Sequence, residues 1–229
     1  MKEKTHLIAL YDGEVSFVDD AVGKLMERLK DLKLYSQSMI IVTSDHGEAF
    51  GEHRLTTHGV ALYDDNLRIP LIIKYPAGRK RSGMADAPAS LVDIFPEILD
   101  TVSLPLPGSI QGTALQHPKK SRIIIAENFQ DPTWKNRPDL KHLARDLKAI
   151  YFEDFKYLWA SDGRCELYNI TQDPLESANL IDKLPGKAQE LNAQLERWSS
   201  SFTPIEGDKD LPEANQAITD KLRSLGYIE

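Results

Sequence analysis

The segment Thr43-Ser44-Asp45-His46-Gly47-Glu48 places a carboxylate and an imidazole on neighbouring residues. An oxygen and a nitrogen so placed can face one divalent ion, because the glycine that follows lets the backbone turn sharply. Two ligands do not hold a metal by themselves. The same residues also allow a plainer reading, in which Asp45 caps a helix and His46 packs quietly. Glu52, His53 and His58 follow within a dozen residues, so three of the six histidines fall between 46 and 58. Turn residues and histidines gathered after a strand are what a metal-assisted hydrolase acting on an anion requires. His58, beside Gly59, is the first candidate to contact an oxyanion. His53 is the second, although Gly51-Glu52-His53 also reads as a loop whose side chains satisfy backbone groups.

Met39 to Thr43 is a short apolar run rich in β-branched residues and predicts a buried strand, whose carboxyl end is where α/β sheets bind ligands. Before it, apolar residues from Val15 to Leu32 recur three or four apart and predict a helix over Glu14 to Lys33. Further strands are predicted at Pro70 to Tyr75 and Arg122 to Ala126, with a helix from Ser90 to Val102 between them. Leu104-Pro105-Leu106-Pro107-Gly108 closes that helix. Helices and buried strands in alternation predict an α/β layer, a mostly parallel sheet flanked by helices, over residues 1–140. A polar stretch from Gln130 to Asp139 then leads to a small α+β unit over 141–229. Strands at Leu147 to Phe152, Phe155 to Trp159 and Glu166 to Asn169, with Ser161-Asp162-Gly163 as a turn, predict an antiparallel sheet. Helices are expected at Lys187 to Trp198 and Glu213 to Leu225.

The chain has 229 residues with a net charge of −7, which argues against the basic footprint needed to bind nucleic acid. A single cysteine, Cys165, rules out an intrachain disulfide or a cysteine-rich zinc site. No apolar run reaches the roughly 18 to 20 residues of a membrane span.

The order TSDHGEAFGEH, then THGVALYDDNLRIPLIIKYP, resembles the segment that closes the active site in the sulfatase family of the alkaline phosphatase superfamily. YDGEVSFVDDAVGKL, LVDIFPEILDTVSLPLPGSIQGTAL, ELYNITQDPLESANL and LRSLGYI extend the resemblance in the family's order. It implies metal-ligand roles for Asp45 and His46, and a sulfate contact for His58. The implied metal is Ca²⁺, although an imidazole ligand is also at home with Mn²⁺ or Zn²⁺. The family's nucleophile is a formylglycine made within Cys/Ser-X-Pro-X-Arg. No such motif occurs here, and Gly163-Arg164-Cys165-Glu166 does not fit it. The resemblance therefore implies that the nucleophile, the other metal ligands and the missing N-terminal half of the catalytic domain belong upstream of Met1. A buried strand left without that half would expose edges and favour association. A leader for export to the periplasm or the outside would also lie upstream. The adjacent Asp19 and Asp20 are expected to be structural, and Arg68 could reach the pocket or pair with an acidic residue such as Asp64, the pairing being the favoured reading. Trp134, Trp159 and the Gln130 to Arg137 loop suggest a sulfated carbohydrate as the sulfate ester substrate. A phosphonate or phosphate ester hydrolase of the same superfamily is one alternative, and an inactive structural or interaction module is another.

Overall fold

The computed structural model describes residues 2–79, 83–85, 87–108, 110–115, 122–130 and 141–202. The chain divides into two compact units, Met1–Gln194 and Leu195–Glu229. The helix expected at Glu213 to Leu225, Trp134 and most of the Gln130 to Arg137 loop lie outside the described residues.

Helix α1 spans Lys2–Asp31, so it starts well before the predicted Glu14. Its end is set by Lys33, whose φ of 58° lies in the left-handed region. The Leu34 N–H donates to the Leu29 carbonyl at 2.8 Å and the Lys33 N–H to that of Lys30 at 2.9 Å, the paired bonds of a Schellman stop. Glycine usually occupies that position because it has no Cβ to strain. Asp20 pairs with Lys24 one turn on, in keeping with the structural role expected of it. Much of the apolar stripe of α1, including Leu7, Leu10, Val15, Val18 and Leu25, is exposed. No helix among the described residues is long and apolar enough to cross a membrane.

Strand β1 (Ile40–Thr43) pairs with β2 (Leu71–Lys74) in antiparallel register, Ile41 opposite Ile73 and Thr43 opposite Leu71. Between them lie the chemically promising segment and the single-turn helix α2 (Asp64–Leu67). After β2, helix α3 (Ile94–Thr101) follows a tight turn capped reciprocally by Ser90 and Asp93. It ends at Ser103, again left-handed, with Leu104 N–H donating to Leu99 and Ser103 N–H to Asp100. The stop thus falls where the Leu104 to Gly108 segment was expected to begin closing the helix. Two carboxylates near the start of α3 are fully buried. Asp93 takes Arg122 at 2.8 Å and the Thr113 N–H at 2.9 Å, and Glu97 takes the Tyr75 hydroxyl at 2.8 Å and the Leu115 N–H at 2.7 Å.

Strand β3 (Ile124–Asn128) was expected in the first layer. It instead heads a four-stranded antiparallel sheet with β4 (Leu147–Phe152), β5 (Phe155–Ala160) and β6 (Glu166–Asn169), in the order β3-β4-β5-β6. Every strand pairing among the described residues is antiparallel. The mostly parallel sheet expected from the apolar runs is therefore not what these strands form. A continuous apolar run reports burial and carries no information about strand direction. Glu153, at a φ of 54°, turns β4 into β5, and the Ser161 to Cys165 connection joins β5 to β6, with Gly163 left-handed. Leu147, Ala149, Leu158, Ala160 and Tyr168 form one buried cluster with Leu62, and Tyr63 and Leu67 pack against it. The sheet therefore rests directly on the segment between β1 and β2. Helix α4 (Pro185–Ser200) follows, and Tyr157 donates to Asn192 on it at 3.2 Å.

Candidate active site

The backbone leaves β1 at Thr43, whose hydroxyl donates to the Pro70 carbonyl at 2.8 Å and ties the exit of β1 to the entry of β2. Asp45 follows with its side chain 81% exposed, so its carboxylate is available. Its own backbone N–H and the neighbouring His46 hold its carboxyl below the usual range. His46 Nδ1 lies 2.9 Å from the Gly47 carbonyl. A carbonyl only accepts, so Nδ1 carries the proton and Nε2 keeps its lone pair. That lone pair sits 3.8 Å from Asp45 Oδ2. Bonds of about 2.0 to 2.5 Å to one divalent ion reach easily across such a gap. The two donors fit a shared metal corner, and no group of three or more metal-ligating side chains forms among the described residues.

The His46 ring stacks on His58, with centroids 4.1 Å apart and planes 21° apart. His58 Nδ1 donates to Glu48 Oε2 at 2.8 Å, which fixes the ring and turns Nε2 outward. The other oxygen of Glu48 is buried and has no hydrogen-bond partner among the described residues. Behind His58, the Gly59 carbonyl accepts from Asn128 at 2.8 Å and from Gln130 at 2.9 Å, so both of its lone pairs are taken by the end of β3. Gly47 is required by close approach. Its N–H donates to the Asn66 carbonyl at 2.8 Å, and a Cβ there would fall on the Asp65 carbonyl oxygen.

His46, Glu48 and His58 are therefore brought together with Asp45 beside them, while Glu52 and His53 turn elsewhere. Glu52 accepts from the Phe50 N–H and pairs with Lys4. His53 stacks on Tyr63 at 3.7 Å. Its Nε2 donates to the Glu176 carbonyl at 3.1 Å, and its Nδ1 faces Asp65 at 3.5 Å. Arg68 is exposed, and the Asp64 carboxylate expected as its partner instead receives Lys156 at 2.8 Å and the Tyr151 hydroxyl at 2.7 Å.

Beneath the segment lies a polar layer that the sequence reading missed. Lys156 has no exposed side-chain surface and lies 2.6 Å from Glu176, which is itself buried. Glu176 also accepts the Asp64 N–H at 2.6 Å. Burial raises the Glu176 carboxyl above its ordinary range, and Lys156 opposes that rise. Tyr63 and Tyr168 both donate to Glu166, at 2.8 and 2.7 Å. Burial first, then the Glu166 charge, pushes the Tyr63 hydroxyl well above the usual tyrosine range. The one sequence signal for this layer was a lysine inside the otherwise apolar Phe155-Lys156-Tyr157-Leu158-Trp159.

The architecture matches that of solved sulfatases and of a related phosphonate hydrolase. Phosphonate monoester hydrolase of Agrobacterium radiobacter aligns with a TM-score of 0.65 at 24% identity, over 82% of this chain and 40% of that one. A structure of BT4656 in complex with its substrate D-glucosamine-2-N,6-O-disulfate aligns with a TM-score of 0.66 at 26% identity, over 88% of this chain and 41% of that one. In sequence, residues 1–104 match the Sulfatase family. The uncharacterized sulfatase YidJ of Escherichia coli (strain K12) is 34% identical over 76% of this chain and 34% of its own length. By these matches the chain belongs to the sulfatase family, and it spans about a third of the length of the curated relatives it matches.

Proposed function

We propose that this chain supplies part of the active site of a sulfuric ester hydrolase, with a sulfated carbohydrate as substrate. The observation that carries the reading is the stacked His46 and His58 pair, each ring with Nδ1 engaged and Nε2 free, beside an exposed Asp45. Asp45 and His46 hold one side of a divalent ion, calcium or manganese. Such an ion, when bound, polarises sulfate oxygens and offsets the charge that develops on them. His58, anchored through Nδ1 by Glu48, offers Nε2 to a sulfate oxygen. His53, with both ring nitrogens facing protein acceptors, holds the segment in shape and leaves the anion to His58. The formylglycine nucleophile and the remaining ligands come from protein beyond these residues, which would also cover the exposed stripe of α1. BT4656 binds a sulfated glucosamine, which supports a sugar sulfate as the substrate class.

The test is to express the complete reading frame that contains this chain and to assay an aryl sulfate against a phosphonate monoester, with and without chelator. Sulfate turnover lost on chelation and in Asp45→Asn supports the reading. Preferential phosphonate turnover would favour the second reading, to which the Agrobacterium radiobacter likeness points. Turnover of neither ester would leave a structural or interaction module.

A further inference from the structure

Glu176 lies more than a hundred residues beyond the catalytic segment, yet it touches that segment at both ends. Its carbonyl receives His53 Nε2 at 3.1 Å, and its carboxylate receives the Asp64 N–H at 2.6 Å. The residue is 2% exposed and sits at a φ of 50°, a left-handed conformation that a non-glycine residue adopts only when its surroundings impose it. Lys156 joins its carboxylate to that of Asp64. From Asp64 the next step is short, because Asn66, on the same single turn α2, accepts the N–H of Gly47 at 2.8 Å. Gly47 in turn accepts His46 Nδ1 and so fixes which ring nitrogen is free.

We propose that Glu176, with Lys156, is a positioning residue for the Asp45, His46 and His58 corner, acting through α2 and Gly47. The proposal rests on the hydrolase reading for its purpose, although its test does not depend on turnover. The backbone of α2 sets where Gly47 turns, and the Gly47 carbonyl sets the His46 tautomer and tilt. The His46 ring carries the stack with His58. A buried residue whose carboxylate holds the α2 N-terminus while its backbone carbonyl holds His53 removes the freedom of the segment to slide against β4 and β5. It touches no reacting atom.

The readout is the set of imidazole proton and nitrogen signals of His46, His53 and His58 in the 229-residue chain, recorded below its thermal transition. Rings stacked at 4.1 Å and 3.7 Å carry ring-current shifts that report their placement. Glu176→Leu removes the acceptor of the Asp64 N–H and keeps the backbone carbonyl that receives His53; its expected effect is displacement of all three histidine signals, that of His53 through Asp65 on α2, while methyl signals of the sheet core, Leu147 and Leu158, stay in place. Leu191→Ala, a cavity variant in α4 at a fully buried position, is the comparison; it lowers stability and leaves the three imidazole signals unmoved. Glu176→Gln is the second variant, keeping an acceptor for Asp64 while placing an amide against Lys156, and its shifts are expected in the same direction but smaller. Imidazole signals unmoved in both Glu176 variants, or moved equally by Leu191→Ala, overturn the proposal. So does unfolding of the isosteric Glu176→Gln chain, which would make the residue a core requirement and not a positioning one. Failure of the complete protein to cleave sulfate esters would refute the hydrolase reading and leave these signals as they are, so the two failures are distinguishable.

Discussion

Replacing Lys156 by Met leaves the buried carboxylate of Glu176 facing the partly buried one of Asp64 with no cation between them. The Lys156 ammonium has no exposed surface and lies 2.6 Å from Glu176 and 2.8 Å from Asp64. Removing one partner of a buried pair costs about 3 to 5 kcal/mol, because the remaining charge is stranded. Here the Asp64 N–H and the Tyr151 hydroxyl still serve the stranded oxygens, so the lower part of that range applies. On a chain of this length about 3 kcal/mol corresponds to roughly 6 to 12 °C in Tm. The pH dependence has a definite sign. Burial raises the Glu176 carboxyl above its ordinary value of 4.5, so the native state holds that proton more tightly than the unfolded one. Stability from such a group is complete below its unfolded value and falls as pH rises through the native value. Lys156 restrains that rise, and the Met variant releases it. The gap between wild type and variant should therefore be small near the ordinary carboxyl value and widen toward neutrality. Urea unfolding monitored by circular dichroism at a mildly acidic and a neutral pH measures both. A gap under about 1 kcal/mol at neutral pH, where breaking a buried pair should cost several, would refute the reasoning, as would a gap of equal size at both pH values.

Gly47→Ala must push the Asp65 carbonyl aside, and overpacking of this kind costs about 1 to 3 kcal/mol, measurable in the same urea titration. In the complete protein, His58→Ala should lower kcat for sulfate ester hydrolysis by about 10²-fold or more, the loss expected when one donor to a developing oxyanion is removed. Asp45→Asn should raise the metal concentration at half-maximal activity by at least about 10 to 100-fold, since even an indirect partner of a metal ligand is worth that much. A metal titration of the steady-state rate reads it directly.

The β4 to β6 hairpins were legible because their turn residues and alternation are local, and α4 because its stripe is regular. The partnership of β3 was not legible. Ile123-Ile124-Ile125 reads equally as a central parallel strand or as the first strand of an antiparallel sheet, and the choice is made by Leu147 to Tyr151, more than twenty residues later. The start of α1 was placed too late because Leu7, Leu10 and Tyr11 precede a glycine, and a glycine lowers helix propensity without forbidding the helix. In the site, Asp45, His46 and His58 stood out because their residue types cluster in sequence and in space. His53 clusters in sequence only, and its ring is turned toward Tyr63 and Glu176. Lys156, Glu166 and Glu176 carried almost no local signal, since their role exists only once the sheet lies against the segment.

The contacts that hold α2 and His53 come from residues 151–176, and this has a consequence for how the protein is made. During synthesis the segment leaves the ribosome more than a hundred residues before Glu176 does. Until then it holds all of its candidate site side chains and lacks the supports that Tyr151, Lys156 and Glu176 give to α2 and His53. Distant pairings of this kind form late, after the cost of closing a long loop. Nascent chains halted at successive lengths should show an abrupt onset of protease resistance around the emergence of the DPLESANL stretch, and none at the completion of β2.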